Sequence, residues 1–168
     1  LEHALARGAT IYAEVKGVQA NCDANHLPQP SAPGQAALMK ALFKRAGMKP
    51  EEIGYVNLHA TSTPLGDRTE ITALREVFGE HLRNVKINAT KSMTGHCCWS
   101  APVVESIAGI LQMNKGVLHP SINIDEQDPE IDVDVCANRA VEWEFDAFLK
   151  NSFGFSGINC CAIFKKYS

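Results

Sequence analysis

The chain has 168 residues, of which 45 % are hydrophobic and 21 % charged, so it can build the core of one globular domain and is not disordered. Its formal charge of −3 argues against a nucleic-acid partner, because phosphate binding needs a basic face. No apolar run approaches the ~20 residues of a membrane span, and the start LEHALARGA lacks a signal-peptide pattern. The chain opens without Met inside a predicted helix, so we expect it to begin within a larger protein.

The first half of the chain predicts a strand, a helix and a second strand. Ile11–Val18 is rich in β-branched residues and predicts the first strand, followed by a loop with three prolines. Ser31 is a suitable N-cap and Gly47 a suitable terminator for the helix between them, where apolar residues recur at helical spacing. Ile53–Leu58 predicts a short apolar strand.

The second half continues the alternation. The polar loop HATSTPLGD leads into a helix, Val85–Ala89 predicts a strand, and the loop TKSMTGHCCW leads into another helix with Pro102 in its first turn. The predicted apolar side of that last helix comprises Val103, Val104, Ile107, Ile110 and Leu111. After an extended acidic stretch, Val141–Leu149 and Cys160–Lys166 predict two closing strands around the turn NSFGFSG.

This order predicts an α/β fold in one domain, residues 1–168. Strands that alternate with helices favour a mixed, mostly parallel sheet with helices on both faces. In such sheets functional groups gather on the loops beyond the strand ends, and the polar motifs of this chain lie on such loops.

Six cysteines raise the question of a disulfide framework or a zinc site. Two pairs are adjacent in sequence and no C-x-x-C occurs, so the spacing fits neither. We predict reduced thiols that pack as small buried hydrophobes, and no metal.

Four residues on or behind these loops can carry chemistry. His59 follows a predicted strand, His96 ends a strand-to-helix loop, Lys91 precedes it by five residues, and Glu105 lies in the next helix. Histidines can donate hydrogen bonds to a developing oxyanion or shuttle a proton, and a Lys–Glu pair can hold a loop in place. A loop histidine is more often an ordinary surface or capping residue, and that interpretation is kept for His3, His26, His81 and His119.

Three long motifs resemble one enzyme family. IGYVNLHATSTPLGDRTE (Ile53–Glu70), NATKSMTGH (Asn88–His96) and KNSFGFSGIN (Lys150–Asn159) are similar to the YVNAHGTSTPxGDxxE, STKSMTGH and NSFGFGGTN segments of β-ketoacyl-acyl-carrier-protein synthases. Shorter matches extend the resemblance, in order, over essentially the whole chain.

The resemblance implies the C-terminal half of a thiolase-like fold. The family's nucleophilic cysteine belongs to the N-terminal half, so none of the six cysteines is assigned that role, and this chain alone is expected to be inactive. The implied reaction is a decarboxylating Claisen condensation of an acyl thioester with malonyl carrier protein in fatty-acid biosynthesis.

The resemblance also implies roles for individual residues. His59 and His96 are the expected oxyanion donors, and Lys91 with Glu105 the expected ion pair behind them. The implied substrate-binding residues are Thr61 and Thr63, for the pantetheine arm, and Phe153 and Phe155, with Phe155 as a gate.

The sequence departs from the family pattern in three places. Ala60 replaces a glycine after His59, a change that some members share. Ser156 replaces a glycine beside the gate and could stiffen it. Trp99 and Pro102 are bulky residues where the family usually has a run of small residues. They put in doubt whether this chain forms the family's acyl pocket and subunit contact.

The implied partners are acyl carrier protein with its malonyl and acyl thioesters, the N-terminal half, and a second copy in a homodimer; no cofactor is expected. The expected compartment is the cytoplasm, with plastid or mitochondrial matrix as alternatives. A non-catalytic chain-length-factor partner subunit is the alternative function, opposed by retention of the four site residues. Thiolase activity is not expected, because thiolases lack the TKSMTGH motif.

Overall fold

The computed structural model describes residues 1–167; Ser168, the last residue of the predicted domain, lies outside the described residues. The helices are α1 (Glu2–Ala6), α2 (Ala32–Ala46), α3 (Pro64–Phe78), α4 (Lys91–Thr94) and α5 (Ala101–Lys115). The strands are β1 (Glu14–Cys22), β2 (Tyr55–Asn57), β3 (Lys86–Asn88), β4 (Val117–Leu118), β5 (Val141–Glu142), β6 (Ala147–Phe153) and β7 (Ile158–Lys165).

The central sheet has five strands in the order β1-β7-β6-β2-β3. The predicted α/β class and mixed sheet are confirmed. β2 is parallel to both β3 and β6, whereas β6–β7 and β7–β1 are antiparallel, so the sheet is evenly mixed rather than mostly parallel. The reason is the short turn between β6 and β7, since a hairpin can only join antiparallel strands. The predicted strand Val141–Leu149 is divided, because β5 pairs with β4 in a separate small sheet.

Helix α2 begins and ends where the sequence predicts. The Ser31 hydroxyl accepts a hydrogen bond from the Gly34 N–H at 3.1 Å, which satisfies one of the free amides of the first turn. Gly47 closes the helix with a φ of 63°, a left-handed conformation that glycine adopts without a Cβ penalty. These two caps define the ends of α2.

The sheet carries an apolar core on each face. Helices α2 and α3 pack against one face, where Val56, Leu149 and Ile163 point. Helix α5 covers the other face, over Tyr55 and Phe148. The predicted placement of helices on both faces is therefore confirmed, and neighbouring residues of a strand serve different cores because side chains alternate across it.

Helix α5 exposes part of its predicted apolar side. Val103 is 62 % exposed, Ile107 53 % and Leu111 48 %. The inward side carries Glu105 and Gly109 instead. A Cβ at position 109 would lie 2.5 Å from the Phe148 ring, so the helix approaches the sheet at a point where only glycine fits.

All six cysteines are free, but only two fit the predicted buried thiols. Cys136 and Cys161 are buried, whereas Cys97 and Cys160 are partly exposed. Cys22 and Cys98 are exposed, because the first ends an edge strand and the second lies in the open turn after His96. Within residues 1–167, no group of three potential ligands could hold a metal ion. In the same residues no helix is both long and apolar enough to cross a membrane.

Candidate active site

The two predicted histidines meet at one edge of the sheet. β2 and β3 are parallel neighbours, so the loops that follow them start side by side, and His59 and His96 lie on these loops. The two imidazole rings have centroids 5.7 Å apart and an interplanar angle of 83°. β6 is also parallel to β2 and brings Phe153 to the same edge, with its ring centroid 5.9 Å from that of His59. The arrangement places two ring N–H donors within reach of one small group.

Glu70 holds the His59 loop in place. Its two carboxylate oxygens accept hydrogen bonds from the backbone N–H groups of His59 and Ala60, each at 3.0 Å. The Asn151 amide, on β6, donates a third hydrogen bond at 2.9 Å. Glu70 is 1 % exposed, and its role was not predicted from the sequence. The available signal was a charged residue on the apolar side of a helix, next to Ile71 and one turn before Leu74.

The hydrogen bonding of His96 fixes the position of its proton. The Cys98 backbone N–H donates to Nδ1 of His96 at 3.0 Å. A ring nitrogen that accepts a hydrogen bond carries no proton, so the neutral ring is protonated at Nε2. His96 is exposed toward the site, and its Nε2–H is therefore an available donor.

His59 is held in the uncharged form. Burial, followed in order by the charges of the nearby Lys91, Lys150 and His96, lowers its pKa to about 3. A neutral imidazole at physiological pH donates one N–H and adds no net charge to the site. His59 is thus a neutral hydrogen-bond donor, a form able to stabilise an oxyanion.

A buried charge cluster lies behind the histidines. The Lys91 ammonium lies 2.6 Å from Oε1 of Glu105, so the ion pair that the resemblance implies is present. The Lys150 ammonium lies 2.7 Å from Oε2 of the same carboxylate. All three side chains are at most 5 % exposed. Lys150 was not predicted as a site residue, although a lysine in the otherwise apolar strand AFLKNSF was a visible signal.

Beneath this cluster a hydrogen-bonded network ties the ends of β2 and β3 together. Its members are Tyr55, Asn57, Asn88, Thr90, Gln112 and His119. Burial raises the pKa of the Tyr55 hydroxyl, which stays protonated. The network satisfies polar groups that would otherwise be costly to bury, and it makes the strand ends a rigid base for the loops.

Two cavities meet at the His59 loop. The larger, of about 510 Å³, is lined among others by His59, His96, Thr61, Thr63, Phe153 and Phe155. The second, of about 470 Å³, shares Thr61 and His96 and is also lined by Lys91. Seven of the eight predicted site residues therefore line a cavity, and Glu105 lies behind Lys91, outside both cavities.

Asp67, which was not predicted, lines both cavities. Burial, followed by the charge of Glu70, raises its pKa to about 6.

The departure at Ser156 has a conformational consequence. Ser156 adopts a φ of 62°, in the left-handed region that favours glycine, within the turn that carries Phe155. A residue with a Cβ is destabilised in this conformation by about 1–2 kcal/mol relative to glycine. Glycine loses more conformational entropy on folding, which offsets about 0.5–1 kcal/mol of that difference. We expect Ser156→Gly to raise the free energy of unfolding of the complete protein by about 0.5–1 kcal/mol in urea titration.

Ser106, in the interior of α5, serves as the matched control. Ser106→Gly should lower the free energy of unfolding by about a few tenths of a kcal/mol, since glycine weakens a helix. Equal destabilisation by both substitutions would contradict the strain at Ser156.

Comparison with known proteins identifies the family of this chain. The family model described as beta-ketoacyl synthase, C-terminal domain, matches residues 12–125. The chain is 44 % identical to 3-oxoacyl-[acyl-carrier-protein] synthase I, chloroplastic, of Arabidopsis thaliana, over 99 % of this chain and 36 % of the relative. It is 40 % identical to 3-oxoacyl-[acyl-carrier-protein] synthase 2 of Synechocystis sp., over 99 % of this chain and 41 % of the relative.

A solved structure has the same fold. A chain of the AntDE:AntF structure, described as a type II PKS acyl-carrier protein in complex with its ketosynthase, superposes with a TM-score of 0.95. It is 36 % identical, over 99 % of this chain and 41 % of that chain. The chain thus spans about two fifths of the length of the proteins it matches. With a family model that covers most of its length and relatives at 40 % identity or more, this chain belongs to the β-ketoacyl synthase family and carries that family's C-terminal domain.

Proposed function

We propose that the protein containing this domain is a 3-oxoacyl-[acyl-carrier-protein] synthase of fatty-acid biosynthesis, and that the domain supplies the paired histidines of its active site. The observation that carries the proposal is the approach of the His59 and His96 rings to 5.7 Å at the wall of one cavity. Two imidazole N–H donors at that separation suit a single developing oxyanion.

The chemistry follows from where negative charge develops. In malonyl carrier protein the bond between the carboxylate carbon and Cα breaks, carbon dioxide leaves, and the electron pair passes into an enolate whose oxygen becomes negative. His59 and His96 donate to that oxygen. The enolate carbon then attacks the carbonyl of an acyl thioester on the cysteine of the N-terminal half, a carbon–carbon bond forms, and the cysteine leaves as thiolate.

The supporting residues keep this site ready. Glu70 fixes the backbone of the His59 loop, and the Lys91–Glu105 pair anchors the loop that leads to His96. Donors held in place before reaction need no reorganisation when charge develops, which is the main source of their effect. Lys91 acts in this scheme as an electrostatic and positioning group at the cavity wall.

Substrate entry is assigned to the mouth of the larger cavity. Thr61 and Thr63 line this cavity and are proposed to hydrogen bond the pantetheine arm of acyl carrier protein, and Phe153 packs beside His59. Phe155 is 74 % exposed at the rim, a position suited to a gate. The structurally similar AntDE ketosynthase is seen with its acyl-carrier protein, which supports the same class of partner here.

The N-terminal half is proposed to cover the outward side of α5. Val103, Ile107 and Leu111 form an apolar stripe there, continuous with Trp99, which is 98 % exposed. Apolar surface of this kind marks an interface. The same half would bring the nucleophilic cysteine to the histidines, and a homodimer of the complete protein is proposed with it.

The curated relatives also bear on the compartment and on the alternative function. A cytoplasmic enzyme is proposed, with the plastid as the alternative that the chloroplastic Arabidopsis relative supports. The chain-length-factor interpretation is not favoured, because His59, His96, Lys91 and Glu105 are all retained and the curated relatives are synthases.

The test is condensation by the complete protein. With acyl and malonyl carrier proteins it should form the 3-oxoacyl product and release one carbon dioxide for each condensation. The 168-residue chain alone should do neither and should be poorly soluble. Condensation by that chain alone would contradict the location of the nucleophile, and its absence from the complete protein would contradict the proposed function.

A further inference from the structure

We infer that Lys150 is a positioning residue of this site: its ammonium is a fixed internal cation that holds Glu105 between two lysines and sets the charge around His59. The inference deepens the proposed function and rests on it for the role of His59. The geometry of the cluster carries it.

Lys150 joins two of the elements that converge on the site. It lies in β6, paired with Asn57 of β2, two residues before His59. Its ammonium reaches Oε2 of Glu105 on α5 at 2.7 Å and Oγ of Ser152 at 3.2 Å, and it also donates to the Asn151 carbonyl. Every donor of the ammonium is therefore directed at a defined acceptor, which is required of a charged group that is 2 % exposed.

Lys150 also connects the supports of the two histidines. Successive side chains of a strand point to opposite faces of the sheet. Lys150 faces Glu105 and Lys91 on the α5 side, whereas Asn151 faces Glu70 on the α3 side. One dipeptide of β6 thus contacts the carboxylate behind the His96 loop and the carboxylate beneath the His59 loop.

Both ammonium groups of the cluster act on His59. They share the Glu105 carboxylate, and Glu70 supplies a second carboxylate on the opposite face of the sheet. The titratable groups that face Lys150 are Glu105, Lys91, Glu70, His59, Cys160 and Cys161. The two ammonium groups oppose protonation of His59, whose pKa is lowered first by burial, then by Lys91, then by Lys150.

A packing role alone would not call for a lysine here. A central strand residue between two neighbours is ordinarily apolar, and burying an ammonium is unfavourable unless it is paired. Burial lowers the pKa of Lys150, while Glu105 opposes that effect by favouring the charged form. The site therefore keeps an amine group, paired with Glu105 at 2.7 Å, at a position where a methionine of similar length could pack.

The test compares Lys150→Met with Lys44→Met in the complete protein. Lys44 is an exposed residue of α2 without an ion pair among the described residues. The titration of His59 is followed by NMR of labelled histidine, with the His59 signal assigned from the His59→Ala variant. Carbon dioxide release gives kcat and KM for malonyl carrier protein. The free energy of unfolding is measured for each variant. Lys150→Gln replaces Lys150→Met if the latter does not fold.

We expect Lys150→Met to move the titration of His59 to higher pH and to lower kcat by about 10- to 100-fold with little change in KM, since small misplacements of catalytic groups have effects of that size. Lys44→Met should change neither. In Lys150→Ala, methylammonium should restore part of kcat by filling the vacated cation position.

A loss of stability with an unchanged His59 titration, an unchanged kcat and no response to methylammonium would overturn the inference. The NMR titration needs no activity. An inactive wild-type protein would contradict the proposed function, while the shift of the His59 titration would still decide the role of Lys150.

Discussion

Glu105→Gln is expected to destabilise the protein by about 3–5 kcal/mol, the usual effect of breaking a buried ion pair from one side. Glu105 lies directly between the Lys91 and Lys150 ammonium groups, at 2.6 and 2.7 Å, and all three side chains are buried. Glutamine preserves the shape of the side chain but removes its charge. The change leaves a partner charge uncompensated in the interior, and here two partners lose their counterion.

Urea titration of the complete protein measures this effect. Glu51→Gln, at an exposed position on the surface, is the matched control and should change the unfolding free energy by no more than about 0.5 kcal/mol. The double variant Glu105→Gln with Lys150→Met should recover part of the loss, because one uncompensated charge is removed. A Glu105→Gln variant as stable as the wild type would show that the cluster is not held by charge.

His96→Ala is expected to lower the rate of malonyl decarboxylation by about 10²–10³, the usual effect of removing one preorganised oxyanion donor. The Nε2–H of His96 is free to donate because Nδ1 accepts the Cys98 backbone N–H at 3.0 Å. Transfer of the acyl chain to the cysteine of the other half should survive, since the enolate oxygen develops only in the later step.

Carbon dioxide release from malonyl carrier protein and acylation of the protein by acyl carrier protein are measured separately. His3→Ala, on the exposed helix α1, is the control and should affect neither. Equal loss of both steps in His96→Ala would place His96 in acyl transfer rather than in enolate stabilisation.

The meeting of the two histidines was predictable because it depends on topology. Two loops that follow neighbouring parallel strands open at the same edge, and the motifs around His59 and His96 placed both residues on such loops. The Lys91–Glu105 pair was implied by resemblance alone, since nothing in the spacing of a loop lysine and a helical glutamate requires contact.

The supports of the site could not be predicted in the same way. Glu70 contacts the His59 backbone from eleven residues further along the chain, and Lys150 contacts Glu105 from another strand, so both depend on tertiary packing. The side of α5 that faces the sheet could not be predicted for a related reason. Apolar periodicity identifies an amphipathic helix but not the partner it packs against, and the inward side is fixed by the fit of Gly109 on Phe148.

His59 and His96 are proposed to act together on one oxyanion, and a double-mutant cycle tests this most directly. The cycle combines His59→Ala and His96→Ala and measures carbon dioxide release by the complete protein. Residues that act as a unit are non-additive, so the double variant should lose little more activity than the worse single variant. Losses that multiply, or decarboxylation that continues at the wild-type rate in either single variant, would contradict the paired site.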